Sequence, residues 1–528
     1  MTTITAHTEE DNMPKPQNGL KLKLGNLSNY EVEWSDQLNA TPRGGMMYLC
    51  HFLAKNNLFE DLVETCPLQY KSNNAPHKRS VLGTILCGIL EGAWRYAHLS
   101  TIKGDRISAD ALGLEKGFVS EDSVRRGMKK LTKDCWDKCQ DWLSEAELTS
   151  VMPVLSEPYI LDLDTSVKQI YGRQEGAEIG YNPSRCGRPS QSLHVGFIGT
   201  LRLLVYVDVQ GGKNHAACHM SKGIWKSVDL IPKSMQPELV RGDIGYGNEG
   251  YMVECEQRDL QYLFKQKITS NGRKEIVNVV TNDQTVWCAA PNTDYEYACS
   301  VLKLSGWSKE RDIIILRRLV PSKKKGKKNG SKQMLMSFMT DESGAVKKEW
   351  KYAILVHRTP NIPTESIPKL YQERADCENV LDELKNQWGL AGFSTHDILR
   401  VKLMARLVAI VCNWWNVFTR MAEPDEHMEA LTSRPELLHL IAQSISHAGK
   451  QVIRFASYHE NQPHIKAAVS RLHRCFAWIG SIAEQLTKSQ ILAIQMSIAF
   501  HRFLNGKLLN VPDCARDGIS QLCNSPPE

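Results

Sequence analysis

No stretch of the chain approaches the about 18 uninterrupted apolar residues from which a membrane-spanning helix is read. The N-terminus, MTTITAHTEEDNMPKPQ, has no apolar run, so no leader peptide is predicted. The 15 cysteines contain no CxxC pair. Cys135 and Cys139 lack a second pair, which argues against a zinc ribbon. His215, Cys218 and His219 stand close together and read as packing residues rather than ligands. Scattered thiols suit a reducing compartment, so a cytoplasmic protein with no membrane partner is expected. A strong charge of one sign is also missing: the net charge is +6. That value permits nucleic-acid binding without establishing it, because affinity depends on where Lys and Arg cluster.

What is present is an ordinary globular composition, 42% hydrophobic and 23% charged, over 528 residues, enough for three or four units. Residues 1–30 are polar, with Pro14, Pro16 and Gly19, and read as a flexible tail. Residues 31–153 read as a helical domain. MMYLCHFLAKNNLFEDLVE and SVLGTILCGILEGAWRYAHL carry helical periodicity, and Ser120 is placed to cap a helix running to Leu131. That helix carries Arg125, Arg126, Lys129 and Lys130, which suit a solvated basic face or a helix laid against DNA.

The pattern changes at Tyr159. YILDLDTS is a strand run with Asp162 and Asp164 on one face. A loop, YNPSRCGRPSQS, follows and offers Arg185 and Arg188 as candidate DNA contacts. HVGFIGT and LRLLVYVDV read as strands, Lys222 to Leu230 as a helix, and ELVRGDIGYGN as a strand ending at Asp243. Asn248 to Arg258 reads as a helix and LQYLFKQKI as a strand. The core is thus assigned to 154–269. Residues 270–360 read as a mainly β insertion, with strand runs in VNVVTNDQTVWCA, RDIIILRRLV, KQMLMSFMT and EWKYAILVHRT. Its SKKKGKKNGSK segment is a flexible hairpin tip or, through Lys323, Lys324, Lys325, Lys327 and Lys328, a phosphate contact. Residues 393–510 read as a helical C-terminal domain and 511–528 as a loose tail. Within it, HDILRVKLMARLVAIVCNWWNVFTRM is apolar enough to be core or subunit interface.

The segment 361–392 carries the most specific signal. IPKLYQERADCENVLDELKNQW reads as one long helix, with Ser366 as N-cap, Pro368 in the first turn and Gly389 past the end. At about 100° per residue, Tyr371, Arg374, Glu378 and Lys385 fall within roughly 60° of one another. Leu370, Cys377, Leu381, Leu384 and Trp388 form an adjoining apolar stripe. Gln372, Glu373, Asp376, Asp382, Glu383 and Asn386 lie on the far, solvated side.

The spacing Y-x(2)-R-x(3)-E-x(6)-K resembles the signature of bacterial insertion-sequence transposases of the DDE type, the YREK group. DLDTS resembles that family's first-aspartate strand, with the acid directly before Thr, which selects Asp164 over Asp162. VRGDIGYGN resembles its second motif, selecting Asp243 with Arg241 in support. The element order matches an RNase H-like fold: a mixed five-stranded sheet with helices, interrupted by a β insertion and flanked by helical N- and C-terminal regions. The resemblance implies that Asp164, Asp243 and Glu378 hold two Mg²⁺ ions, with Mn²⁺ as a substitute. Mg²⁺ prefers hard oxygen ligands, and two such ions about 4 Å apart assist attack on a phosphodiester. It further implies that Arg374 and Lys385 hold phosphates, that Tyr371 orients them, and that the N-terminal helices bind terminal inverted repeats of double-stranded DNA. Trp350 matches a position where some members of the wider group stack a Trp on a flipped base, although a strand Trp packing on the insertion fits equally. The expected activity is cleavage at the element ends and transfer of 3′-OH ends to target DNA by a homodimer. A metal-dependent nuclease of this fold without transfer, and a non-catalytic DNA-binding derivative, are the rival readings.

Overall fold

The computed structural model describes residues 20–23, 29–32, 39–183, 185–214, 216–321, 348–457 and 459–524. Leu20–Lys23 and Asn29–Val32, within and just past the expected tail, pair as a short antiparallel ladder. The N-terminal region is helical as expected: α1 (Met46–Lys55), α2 (Leu58–Thr65), α3 (Lys78–Leu90), α4 (Arg106–Ala111), α5 (Glu121–Asp134) and α6 (Trp136–Thr149). Asn57, at φ 53°, turns the chain between α1 and α2, a conformation Asn tolerates better than most residues. Ser120 caps α5 by accepting from the Ser123 amide, so the serine signal was read correctly.

The centre is one nine-stranded sheet. Its first strands are β1 (Ile160–Gln169), β2 (Ser190–Ile198) and β3 (Leu203–Gly211). Helix α7 (Ala216–Asp229) leads to β4 (Leu239–Gly242), and α8 (Glu249–Gln257) leads to β5 (Gln261–Gln266). β1, β2 and β3 are antiparallel in turn, whereas β4 runs parallel to both β1 and β5. The insertion opens with α9 (Ser270–Thr281) and continues with β6 (Cys288–Ala289), β7 (Glu296–Leu302), β8 (Arg311–Pro321) and β9 (Lys348–Arg358). The order across the sheet is β3-β2-β1-β4-β5-β9-β8-β7-β6. The insertion strands therefore extend the core sheet, because β9 hydrogen-bonds antiparallel to β5.

Two sequence expectations fail inside the insertion. VNVV is helical rather than extended: Thr269 caps α9, and Gly272, Ile276 and Val279 bury one helical face. Helical spacing and a cap outweigh the β-branched run. The strand Glu296–Leu302 was not foreseen. KQMLMSFMT and the lysine-rich segment lie outside the described residues.

The expected long helix is interrupted. α10 (Ile367–Gln372) passes through a tighter 3₁₀ turn, Glu373–Ala375, into α11 (Asp376–Asn386). Pro368 sits in the first turn as expected, but Ser366 makes no side-chain cap. Gly389 has φ 69°, as a glycine past a helix end should.

The C-terminal region comprises α12 (Ile398–Ala422), α13 (Ala430–Leu437), α14 (Gln462–Ile482), α15 (Lys488–Ala499) and α16 (Asp513–Asn524). α12 is core, since every residue from Leu403 to Ala422 is buried. It packs on edge strand β3, where Asn413 both accepts from and donates to the Leu204 backbone at 2.8 Å. That satisfies polar groups an edge strand leaves open. Two expectations are corrected here. A hairpin, Ala442–His447 with Lys450–Phe455, interrupts the helices and also pairs with Ala40–Thr41. Ala448 and Gly449, both at positive φ, form the two-residue turn that such hairpins favour. The supposed loose tail is largely α16, docked through Ala515 and Ile519, an i,i+4 pair. Among the described residues no helix is long and apolar enough to cross a membrane, and all described cysteines are free.

Candidate active site

Strand β1 alternates strictly. Leu161 and Leu163 point into the main core, while Asp162 and Asp164 face α11. Each even position of the strand then meets a partner. Asp162 takes a two-pronged contact from Arg241, at 2.6 and 2.8 Å, and neither side chain is solvent-exposed. Asp164 Oδ2 lies 3.1 Å from Arg374 Nη2. Ser166 Oγ accepts from Lys385 Nζ at 3.0 Å. Lys168 Nζ donates to the Gly392 carbonyl at 2.9 Å, and burial lowers its pKa to about 8. The YREK segment thus runs along β1, and Arg374 and Lys385 each answer one position of the strand.

Asp164 and Asp243 come from the neighbouring parallel strands β1 and β4. Asp243 follows the last residue of β4, and its Oδ1 accepts from the Gly245 amide at 2.9 Å, which closes the turn leaving the strand. Glu378 stands exposed in the first turn of α11. Asp164 feels the other two acids. Burial pushes the Asp164 carboxyl up to about 6, opposed by Arg374 and reinforced by Asp243 and then Glu378. Thr165 turns to the opposite face, where its hydroxyl meets Tyr246 at 2.7 Å and His194 at 3.3 Å. The Thr165 amide donates to Asp164 Oδ1 at 2.7 Å, so this network also reaches the acid.

No three His, Cys, Asp or Glu side chains among the described residues are gathered as a closed metal cage. The donor chemistry nevertheless fits a hard divalent cation: three carboxylates are set close enough to repel, and one is desolvated. In this structure the relief comes from the Arg374 guanidinium.

The family model for transposase DDE domain group 1 matches residues 35–477, most of the chain. The chain belongs to that family. No curated protein matches this DDE transposase chain. Among solved structures it is similar to the cryo-EM piggyBac transposase synaptic complex with hairpin DNA, at 8% identity over 93% of this chain and 89% of that one. The TM-score is 0.36, and a likeness at that level carries no weight here.

The remaining sequence candidates of this DDE family member are placed as follows. Arg241, expected to support Asp243 and touch DNA, is committed to Asp162 and the Leu370 carbonyl instead. Three of its five N–H donors are engaged and the side chain is buried, so in this conformation it is turned to the core rather than to DNA. Tyr371 is half-buried against an apolar cluster that includes Leu239, Leu263, Leu355 and Ile367, and burial raises its pKa to about 12. Glu383 is not on a solvated face. It is buried, ion-paired to Arg202, hydrogen-bonded with His427, and accepts from the Trp388 indole and the Ala430 amide. Trp350 shares a sheet face with Tyr352 and Ile354, opposite to Leu355 and the acids, and Arg317 lies 4.5 Å over its ring. The structure does not bring it to the acids.

Arg125 and Arg126 are exposed on α5, with Arg125 near Asp122 and the Tyr96 ring. Arg185 is exposed, and Arg188 lies 4.6 Å over the exposed ring of Tyr171. Lys323, Lys324, Lys325, Lys327 and Lys328 lie outside the described residues. Sequence reading missed Lys265. The strand was identified, but the register that sets Phe264 beside Gly242, and hence Lys265 beside Asp243, was not legible.

Proposed function

We propose that this chain is a DNA transposase of the YREK group, built on an RNase H-like core. What supports the reading is membership of the DDE family, together with Asp164 and Asp243 on neighbouring parallel strands and an Asp164 carboxyl that both Asp243 and Glu378 push upward. The order β3-β2-β1-β4-β5, with β4 and β5 parallel to β1, supports the core assignment. The three acids would hold two Mg²⁺ ions, or Mn²⁺ in their place. When bound, such ions supply activation of the attacking oxygen and stabilisation of the leaving one.

The chain's own residues do the rest. Asp164, on a rigid central strand, and Glu378, on a packed helix, supply from a fixed frame the oxygen donors that would hold the ions. Arg374 presents a planar fork that suits a phosphate oxygen as well as it suits Asp164. Lys385, held by Ser166, meets the backbone further along the same strand. Water adds to phosphorus and the P–O3′ bond breaks; the released 3′-OH of each end then attacks a target phosphodiester, forming a new P–O3′ bond as the target's own P–O3′ bond breaks and its 3′-OH leaves. Two ends must be joined at once, so a homodimer on double-stranded DNA is the working unit.

The test is incubation of the purified chain with Mg²⁺ and a duplex carrying the DNA that borders its gene. Nicks with 3′-OH ends followed by joined products support the proposal. Cleavage without joining indicates a nuclease, and binding without cleavage a DNA-binding derivative.

A further inference from the structure

The face of the sheet that carries the acids does not stop at β4. In the parallel register Gly242 lies beside Phe264, so the next residues, Asp243 and Lys265, are neighbours on that face. Lys265 in turn lies beside Leu355 of β9. Further toward the same end of the sheet, Arg318 of β8 pairs across with Lys351 of β9. Strand alternation puts Lys265, Leu355, Lys351 and Arg318 on one side, with Trp350 and Tyr352 on the other. A basic stripe therefore leaves the acids over the insertion strands, on the side away from α11.

Lys265 is the unusual member. It is partly buried, yet among the described residues it makes no ion pair and no side-chain hydrogen bond. Its charged neighbours are Asp243, which attracts it, and Arg374 and Arg318, which repel it. A partly buried ammonium with two guanidiniums in its neighbourhood gains from an anion. The one acid nearby is a candidate metal ligand and so is not free to serve as that anion. Lys351 is exposed and also unpaired among the described residues, and Arg318 has a loose, exposed contact with Asp294 at 3.5 Å and lies 5.3 Å over the Tyr295 ring.

We propose that Lys265 is a phosphate-binding residue of the site, and that with Arg318 and Lys351 it guides the DNA backbone from the acids across the insertion strands. This rests on the transposase reading above. It adds a second line of phosphate contacts on the side of the acids opposite Lys385, so the strand is held on both sides of the scissile bond. A lysine suits this task because a point charge on a flexible stem accepts the changing phosphate positions before and after cleavage.

The experiment uses the full chain and the bordering-DNA duplex, in EDTA for binding and in Mg²⁺ for cleavage. Single phosphates of the duplex are replaced one at a time by neutral methylphosphonates. For the wild type, one position near the cleavage site is expected to weaken binding about tenfold. Lys265→Gln is expected to bind the unmodified duplex about tenfold more weakly, with the slope of log K against log salt reduced by about one. That same methylphosphonate should then weaken Lys265→Gln no further. Lys265→Arg should restore most of the affinity, and Arg318→Gln should shift binding about threefold by the same pattern, which preserves the test if Lys265→Gln does not fold. Wild-type cleavage with unchanged affinity and slope in the variants overturns the role of the stripe and leaves the transposase reading intact. A methylphosphonate penalty that persists undiminished in Lys265→Gln and Arg318→Gln overturns it equally. A wild-type chain that neither binds nor cleaves the duplex overturns the transposase reading itself, and the stripe with it.

Discussion

Asp162 and Asp164 are two residues apart on one face of one strand, and the same substitution should affect them in opposite ways. Asp162→Asn removes the charge that Arg241 grips at 2.6 and 2.8 Å, at a position with no exposed surface. Breaking one side of a buried pair leaves an uncompensated charge, worth about 3–5 kcal/mol of lost stability. Asp164 is the reverse case. Its carboxyl is pushed from 3.8 up to about 6 by burial and by Asp243 and Glu378, net of the attraction of Arg374. At about 1.36 kcal/mol per pH unit, the ionised form is disfavoured in the folded state by about 3 kcal/mol. An amide never carries that charge and still accepts from the Thr165 amide. Asp164→Asn should therefore stabilise the chain by about 1–3 kcal/mol at pH 7, as expected where function opposes stability.

The pH dependence carries a definite sign. A folded state that holds its proton more tightly than the unfolded state loses stability as pH rises between the two pKa values. Wild type should thus fall relative to Asp164→Asn from about pH 4 to about pH 6, and the difference should vanish near pH 3.5. Urea midpoints measured with EDTA present, for wild type and both variants from pH 3.5 to 7.5, check this. An Asp164→Asn chain less stable than wild type at pH 7, or an Asp162→Asn chain unaffected, would refute the assignment of one aspartate to structure and the other to chemistry.

Glu378→Gln should abolish Mg²⁺-dependent nicking while changing duplex affinity less than twofold, since the residue is exposed and supports no part of the core; gel-shift and nicking assays on one preparation decide it. Arg374→Lys should lose at least tenfold in cleavage rate despite keeping its charge, because a single ammonium cannot present the planar guanidinium fork to a phosphate beside Asp164; near-normal nicking would remove Arg374 from the site. Glu383→Ala should cost about 3–5 kcal/mol, leaving Arg202 without its partner and the Ala430 amide unmatched, and thermal melting with an active-site control measures it. Neutralising Lys323, Lys324, Lys325, Lys327 and Lys328 should flatten the salt dependence of DNA binding, and an unchanged slope would show that this segment does not touch DNA.

The sequence by itself determined the parts of the site that rest on short-range pattern. Alternation in YILDLDTS put both aspartates on one face, and helical spacing placed Glu378 and Lys385 on one helix. Ser120 marked the start of a basic helix. These signals survive because strand period, helix period and caps are set by neighbours a few residues away. What depended on contacts across the chain was decided only in three dimensions. Arg241 stands two residues before Asp243 in sequence, yet the parallel register carries it to Asp162, 79 residues away. Glu383 reads as a surface acid, and the packing of α11 against the C-terminal helices buries it beside Arg202 and His427. Lys265 reads as one lysine among many, and strand pairing alone sets it beside Asp243. Polar side chains at such positions take the partner that tertiary packing brings within reach, because a buried charge must be matched by whatever lies across the interface rather than by what lies next in the chain.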